Sequence, residues 1–209
     1  MSAKKHFIYK SLYKSLYKIV KRILDMTLSA LLLALLAPAM LLIALAVRID
    51  TEGNAIFKQT RIGKNGKPFT CYKFRTMYVT APKNTPKSAL LESESHITHV
   101  GRFLRRTSLD ELPQLYNVLR GEMSIVGPRP LIAEEGEIHE LRRRCGVTDT
   151  RPGITGLAQI SGRDGITDIE KARYDAKYAR NISLLTDVKI VFRTAGSIML
   201  ADEISGVGH

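Results

Sequence analysis

From Met26 to Val47 the chain carries 22 consecutive residues without a charge. No other feature narrows its folding options as much. As a straight helix this run would reach about 33 Å, enough to cross the hydrocarbon core of a bilayer. Two features complicate a simple crossing. Pro38 sits in mid-run, where it removes a backbone donor and clashes with the preceding turn, so a kink or break is expected at Ala37-Pro38. Both flanks are also basic, with Lys10, Lys14, Lys18, Lys21 and Arg22 ahead of the run and Arg48, Lys58, Arg61, Lys64 and Lys67 behind it. Lysine and arginine favour the cytoplasmic side. A segment whose two ends both prefer the cytoplasm can enter the membrane and turn back. A single kinked spanning helix is the alternative, and the flanks and the proline leave both open. The run is too long, and lies too far behind a basic leader, for a cleaved signal peptide.

The leader contains a short repeat, Lys10-Ser-Leu-Tyr-Lys-Ser-Leu-Tyr-Lys18. Its four-residue period sets Lys10, Lys14 and Lys18 on one side of a helix and Leu12 and Leu16 on another. Tyrosine suits the membrane interface, so residues 1–22 are expected to lie as a basic amphipathic helix on an anionic leaflet, with a disordered basic tail as the alternative. The net charge of +12 over 209 residues points to an anionic partner. Cys71 and Cys145 are far apart and fit reduced thiols. His96 and His99 could share a helix face, but no further ligand stands at zinc spacing, so they are expected to be surface residues.

Beyond residue 50 the patterns change to those of a cytosolic domain over 51–200, with a short tail at 201–209. Asn65-Gly66 between apolar stretches predicts a hairpin of Ile56–Ile62 and Phe69–Met77. Val79–Ser95 is polar, contains Pro82 and Pro86, and is expected to be a loop. Helices are expected at Val100–Thr107, Pro113–Leu119 (ending at Gly121), Glu134–Cys145, Ile169–Asn181 and Leu184–Met199, with a glycine-punctuated loop or short strand region at Arg151–Gly165. The class is α+β, mainly helical with a small β-hairpin.

Three clusters could carry chemistry. Asp110 and Glu111 are adjacent carboxylates just ahead of Pro113, at or before a helix N-terminus where the macrodipole favours anions. The same spacing admits a capping box of Ser108 and Glu111, which would leave the acids structural. Gly127-Pro128-Arg129-Pro130 presents one arginine from a backbone stiffened by two prolines, a good phosphate ligand. Arg151-Pro152-Gly153 presents another beside a residue that tolerates close backbone approach. Upstream, Lys73 and Arg75 share a face if residues 72–77 are extended.

The stretches Lys73-Phe74-Arg75-Thr76-Met77, Ser108-Leu109-Asp110-Glu111-Leu112-Pro113-Gln114-Leu115, Gly127-Pro128-Arg129-Pro130 and Arg151-Pro152-Gly153-Ile154-Thr155-Gly156-Leu157-Ala158-Gln159 occur in this order behind one apolar segment. Together they resemble the bacterial sugar transferase family, the monotopic phosphoglycosyl transferases, in its short form. The resemblance runs from about Lys21 to about Ser197. It implies that Asp110 is a nucleophile that attacks the sugar-proximal phosphorus of a UDP-sugar and expels UMP, and that undecaprenyl phosphate then takes the phosphosugar from the aspartate. It implies Mg2+ as cofactor, with Asp110 and Glu111 as its ligands. Arg129 would hold phosphate oxygens, Arg151, Pro152 and Gly153 would help bind the nucleotide, and Lys73 and Arg75 are further substrate-binding candidates. The family also implies that residues 23–50 form a re-entrant membrane helix broken at a Ser-Pro pair, here Ala37-Pro38. The implied location is the bacterial cytoplasmic membrane, catalytic domain on the cytoplasmic face, with membrane lipid and a second copy of the chain among the partners.

Two other classes compete. A membrane-tethered nucleic-acid-binding protein would explain the positive charge, but aromatic residues are sparse and no helix-turn-helix or RNA-binding signature is present, so no nucleic-acid partner is expected. A non-catalytic scaffold is argued against by the intact Asp110-Glu111 pair.

Overall fold

A computed structural model describes residues 2–81, 96–162 and 165–206, with side chains between residues 15 and 197 of those ranges. Helix α1 (Ser2–Asp50) takes in both the leader and the apolar run. Leader and apolar segment are therefore one element, not two divided near residue 22. Nor does the helix stop at Ala37-Pro38, because Pro38 lies inside it. A proline deletes one backbone bond, and the turns on either side carry the helix through.

The outward side of α1 exposes Leu28, Leu31, Leu35, Leu41, Leu42, Leu45 and Ile49. Its other side, through Asp25, Ser29, Leu32, Leu36, Met40, Ile43 and Val47, is buried or half-buried. The three- and four-residue steps of that stripe are helical. It is the one helix among the described residues long and apolar enough to cross a membrane.

After α1 come strands β1 (Ile56–Ile62) and β2 (Pro68–Phe74), an antiparallel hairpin in which Ile62 faces Pro68 and Ile56 faces Phe74. Asn65 and Gly66 both have positive φ, as their turn requires. The second strand ends three residues earlier than expected. Arg75 N still bonds to Ala55 O at 2.8 Å, but beyond it only an isolated bridge from Met77 to Ile97 continues the pairing. Of the expected loop at Val79–Ser95, residues 82–95 lie outside the described residues.

Helix α2 (His99–Thr107) is capped by Thr98, whose hydroxyl accepts from Gly101 N at 2.9 Å. A single 3-10 turn, Leu109–Glu111, leads to α3 (Gln114–Arg120), which ends at Gly121 with φ 85°. Strand β3 (Ser124–Val126) follows, then α4 (Gly136–Arg144), β4 (Gly153–Thr155), α5 (Leu157–Gly162), α6 (Asp168–Arg180) and α7 (Leu184–Gly206). A capping box of Thr167 and Glu170 opens α6. The α7 helix runs to Gly206, into the stretch expected as a tail. The glycine-punctuated stretch at Arg151–Gly165 opens with β4, which pairs in parallel with β3 as a second sheet. The mainly helical α+β class with a small hairpin is what the chain adopts.

The apolar run of α1 is fastened to this domain on both sides. Ahead of the run, Tyr17 OH and Lys21 Nζ donate to Asp187 Oδ2 on α7 at 2.8 and 2.6 Å, while Tyr178 OH on α6 donates to Asp187 Oδ1 at 2.7 Å. Arg22 donates to the carbonyls of Val118 and Leu119, and Asp25 accepts from Ser124 Oγ at 2.7 Å and from Ile125 N. At the other end, Val47 packs with Phe74 and Leu104. Asp50 Oδ2 accepts from Val100 N at 3.1 Å, placing a carboxylate at the positive end of α2. Lys21 and Arg22, two of the basic flanking residues, make these internal contacts.

Candidate active site

The dyad sits where its proline-bounded sequence suggested, in the tight turn between α2 and α3. Ser108 takes a left-handed conformation, φ 58°, which ends α2 and turns the chain into the 3-10 segment. The capping alternative does not hold, because the Ser108 side chain makes no cap bond. Glu111 instead receives Lys73 Nζ from β2, 2.6 Å from its Oε1. The same ammonium lies 3.9 Å from Asp110 Oδ2, and Arg129 Nη1 lies 3.7 Å from Glu111 Oε1. Two motifs far from the dyad in sequence thus converge on its carboxylates.

Two further arginines belong to this cluster, and the sequence reading had not assigned them to it. Arg105 on α2 donates to Thr76 Oγ1 at 2.9 Å and is close enough to Asp110 to favour its ionised form. Arg61 on β1 lies near Arg129, and this adds to the effect of burial in lowering its own pKa. Asp110 itself titrates above the ordinary aspartate range. Burial is the largest cause, Lys73 opposes it, Glu111 reinforces it, and Arg105 and Arg129 pull the other way. Cys71, beneath the site, is also pushed up by burial, so it is a poor thiolate.

The backbone that presents Arg129 is pinned at four successive carbonyls. Pro128 O accepts from Gly153 N at 2.8 Å, Arg129 O from Arg142 Nη1 at 2.9 Å, Pro130 O from Arg61 Nη1 at 3.2 Å, and Leu131 O from Ile62 N at 2.8 Å. A charged fork held on so rigid a base needs little reorganisation to receive an anion.

The model of a family described as bacterial sugar transferase matches residues 16–201. The chain belongs to the bacterial sugar transferase family. Among similar sugar transferases is the UDP-glucose:undecaprenyl-phosphate glucose-1-phosphate transferase of Caulobacter vibrioides, 44% identical over 174 residues, covering 79% of this chain and 64% of that protein. The undecaprenyl-phosphate galactose phosphotransferase of Salmonella typhimurium is 40% identical, covering 78% of this chain and 37% of its own length. The exopolysaccharide production protein ExoY of Sinorhizobium fredii is 39% identical, with 79% of each chain covered. The chain therefore spans little more than a third of some sugar transferases it matches and about four fifths of others.

Not every candidate residue of this family member comes to the dyad. Arg75 lies past the end of β2 and is buried. It donates to Glu52 O, Thr51 O and Thr51 Oγ1 at 2.6, 2.8 and 2.8 Å, so it closes the C-terminal end of α1 rather than facing the acids. Arg151 donates through Nε to Gly121 O at 2.9 Å, beside Arg22, and so helps cap the C-terminal end of α3. The dyad precedes the N-terminal end of that helix, and its seven residues separate the two ends by about 10 Å. Pro152 and Gly153 sit under the Arg129 loop. Pro152 O accepts from Ser124 N at 2.8 Å. A Cβ at Gly153 would run into the amide of Gly127, and one at Gly127 into the carbonyl of Arg151. These glycines are needed where two motif backbones touch.

Among the described residues no group of three or more His, Cys, Asp or Glu side chains could hold a metal ion. Two adjacent carboxylates still suit magnesium, which binds through one or two carboxylates with substrate phosphates and water supplying the rest.

Proposed function

We propose that the chain transfers a sugar 1-phosphate from a UDP-sugar to undecaprenyl phosphate through a covalent intermediate on Asp110. The carrying observation is the site itself: a largely buried aspartate beside Glu111, with Lys73, Arg105 and Arg129 around them. An Asp110 carboxylate oxygen attacks the sugar-proximal phosphorus, the bond from that phosphorus to the bridging oxygen breaks, and UMP leaves with both electrons. An oxygen of the lipid phosphate then attacks the same phosphorus. The aspartyl bond breaks, the carboxylate is regenerated, and a polyprenyl diphosphate sugar results. Arg129 and Lys73 meet the phosphate charge, and the rigid loop under Arg129 keeps that charge complement in place. Mg2+, held by Asp110 and Glu111, would supply further neutralisation of the diphosphate. The names of the Caulobacter and Salmonella relatives support the donor and acceptor classes.

The fastening of both ends of the apolar run to one domain supports a membrane segment that stays on one face of the bilayer without a break in the helix. Residues 17–25 and 47–50 bond to the same domain. A bilayer between the two ends would separate them by about 30 Å of hydrocarbon. The exposed leucine face of α1 then lies in lipid, the domain on the cytoplasmic face of the bacterial membrane.

The test is UMP release from a panel of UDP-sugars with undecaprenyl phosphate, together with intact-mass analysis of enzyme quenched without acceptor. The reading requires an adduct one sugar phosphate heavier in wild type and none in Asp110→Asn. Release of UMP by the Asn variant overturns the nucleophile; no release from any donor by wild type overturns the transferase assignment.

A further inference from the structure

Arg129 is presented by a loop whose carbonyl clamp at residue 129 comes from a side chain far from the dyad. Arg142, near the C-terminal end of α4, donates through Nη1 to Arg129 O at 2.9 Å. Its other edge is taken by Asp175 on α6, with Nε at 2.8 Å and Nη2 at 2.7 Å from Oδ2. Both residues are buried, and Asp175 is 1% exposed. A guanidinium is planar and its donors are fixed relative to one another. Holding one edge on Asp175 therefore aims the remaining edge, and nothing about α4 itself would do so.

The clamped carbonyl matters more than its neighbours do. It belongs to the Arg129–Pro130 peptide, whose plane is set by the ψ of Arg129. The ring of Pro130 fixes its own φ and restricts Arg129 to extended backbone. Within that range the carbonyl direction determines where the Arg129 side chain leaves the chain. Pinning the oxygen therefore fixes the Cα–Cβ direction from which the Arg129 side chain reaches to 3.7 Å from Glu111.

We infer that Arg142 and Asp175 are positioning residues for the transfer reaction, a buried pair on α4 and α6 that orients Arg129 toward the phosphate of the substrate. This rests on the function proposed above, since it gives Arg129 its anion. The pair touches neither carboxylate of the dyad. Fold stability alone does not explain it, because replacing a buried ion pair with apolar residues of similar volume is often neutral or stabilising. Its third bond, to Arg129 O, is the part an apolar pair cannot replace.

The experiment uses the full chain in detergent and compares wild type with Arg142→Met/Asp175→Met, which removes both charges together, and with Arg142→Lys. The lysine keeps a charge beside Asp175 but cannot span to Arg129 O as well, so it remains informative if the double variant folds poorly. Two measurements are made: kcat/KM for UMP release, with and without Arg129→Ala, and hydrogen exchange over residues 127–132. The expected result is a loss of about 10-fold or more in kcat/KM that falls to under about 3-fold in the Arg129→Ala background, because coupled residues are not additive. Exchange over 127–132 should rise while α6 stays protected. Equal losses in the two backgrounds, or unchanged exchange over the loop, would overturn the positioning role. An inactive wild type would instead overturn the transferase reading, and the exchange comparison would still decide whether the clamp holds the loop.

Discussion

Arg129→Lys isolates what a fork contributes where a point charge would also fit. The loop carbonyls at 128–131 are all engaged by other elements, so the substituted side chain leaves the same backbone in the same direction. Charge is conserved. What is lost is one of the two parallel bonds a guanidinium can make to phosphate oxygens, and bonds to charged groups are worth about 1.5–3 kcal/mol. The Arg129 side chain is 33% exposed, so solvent competes and the lower end applies. About 1.5 kcal/mol corresponds to a loss of roughly 10-fold in kcat/KM. Stability should change by less than about 0.5 kcal/mol, because no carbonyl clamp involves the Arg129 side chain. Initial rates of UMP release over a range of UDP-sugar, with thermal unfolding of the same preparations, measure both. A change under about 3-fold would show that Arg129 does not grip phosphate through its fork. A 10-fold loss with a large fall in Tm would show that the side chain holds the fold instead.

Four other outcomes follow from the same geometry. Asp110→Asn should abolish turnover yet unfold at or above the wild-type temperature at neutral pH. A carboxyl whose folded pKa is raised costs stability above that pKa, and the cost is gone below its unfolded value; the gap should therefore close on acidification, and a less stable Asn variant would contradict the burial argument. For the same reason the acidic limb of the wild-type rate profile should lie above the ordinary aspartate range, with activity rising as pH rises through it. Gly153→Ala drives a methyl into Gly127 N and should lower both Tm and UMP release, whereas wild-type values would mean the two motif backbones can part freely. Pro38→Leu restores the missing donor in α1 and should favour a straight spanning helix. Single cysteines at Ser15 and Lys67, with Cys71 and Cys145 removed, should then differ, Ser15 labelling from outside intact cells and UMP release falling. If both stay protected and activity persists, the ties through Arg22, Asp25 and Asp50 set the turn without the proline.

Local chemistry determined much of this protein. The limits of β1, the Asn65-Gly66 turn, the end of α3 at Gly121 and the helices α2, α4 and α6 follow from side-chain period, turn residues and caps, which act within a few positions. The dyad turn and the rigid Arg129 loop were legible because prolines and glycines mark special backbone wherever they occur. Tertiary structure alone decided what each arginine does. An arginine reaches several ångströms in any direction, so sequence could not show that Arg75 bonds at the end of α1 and Arg151 at the end of α3, or that Arg61 and Arg105 come near the acids. Asp175 left one trace, a lone acid on a helix face of Ala172, Ala176 and Ala179, small residues that mark close packing. The β3–β4 pairing left none, because three-residue strands have no period to detect and their partners lie almost 30 positions apart. Contacts of that range exist only once the chain has closed on itself, and for that reason the motifs could be marked from sequence while the geometry between them could not.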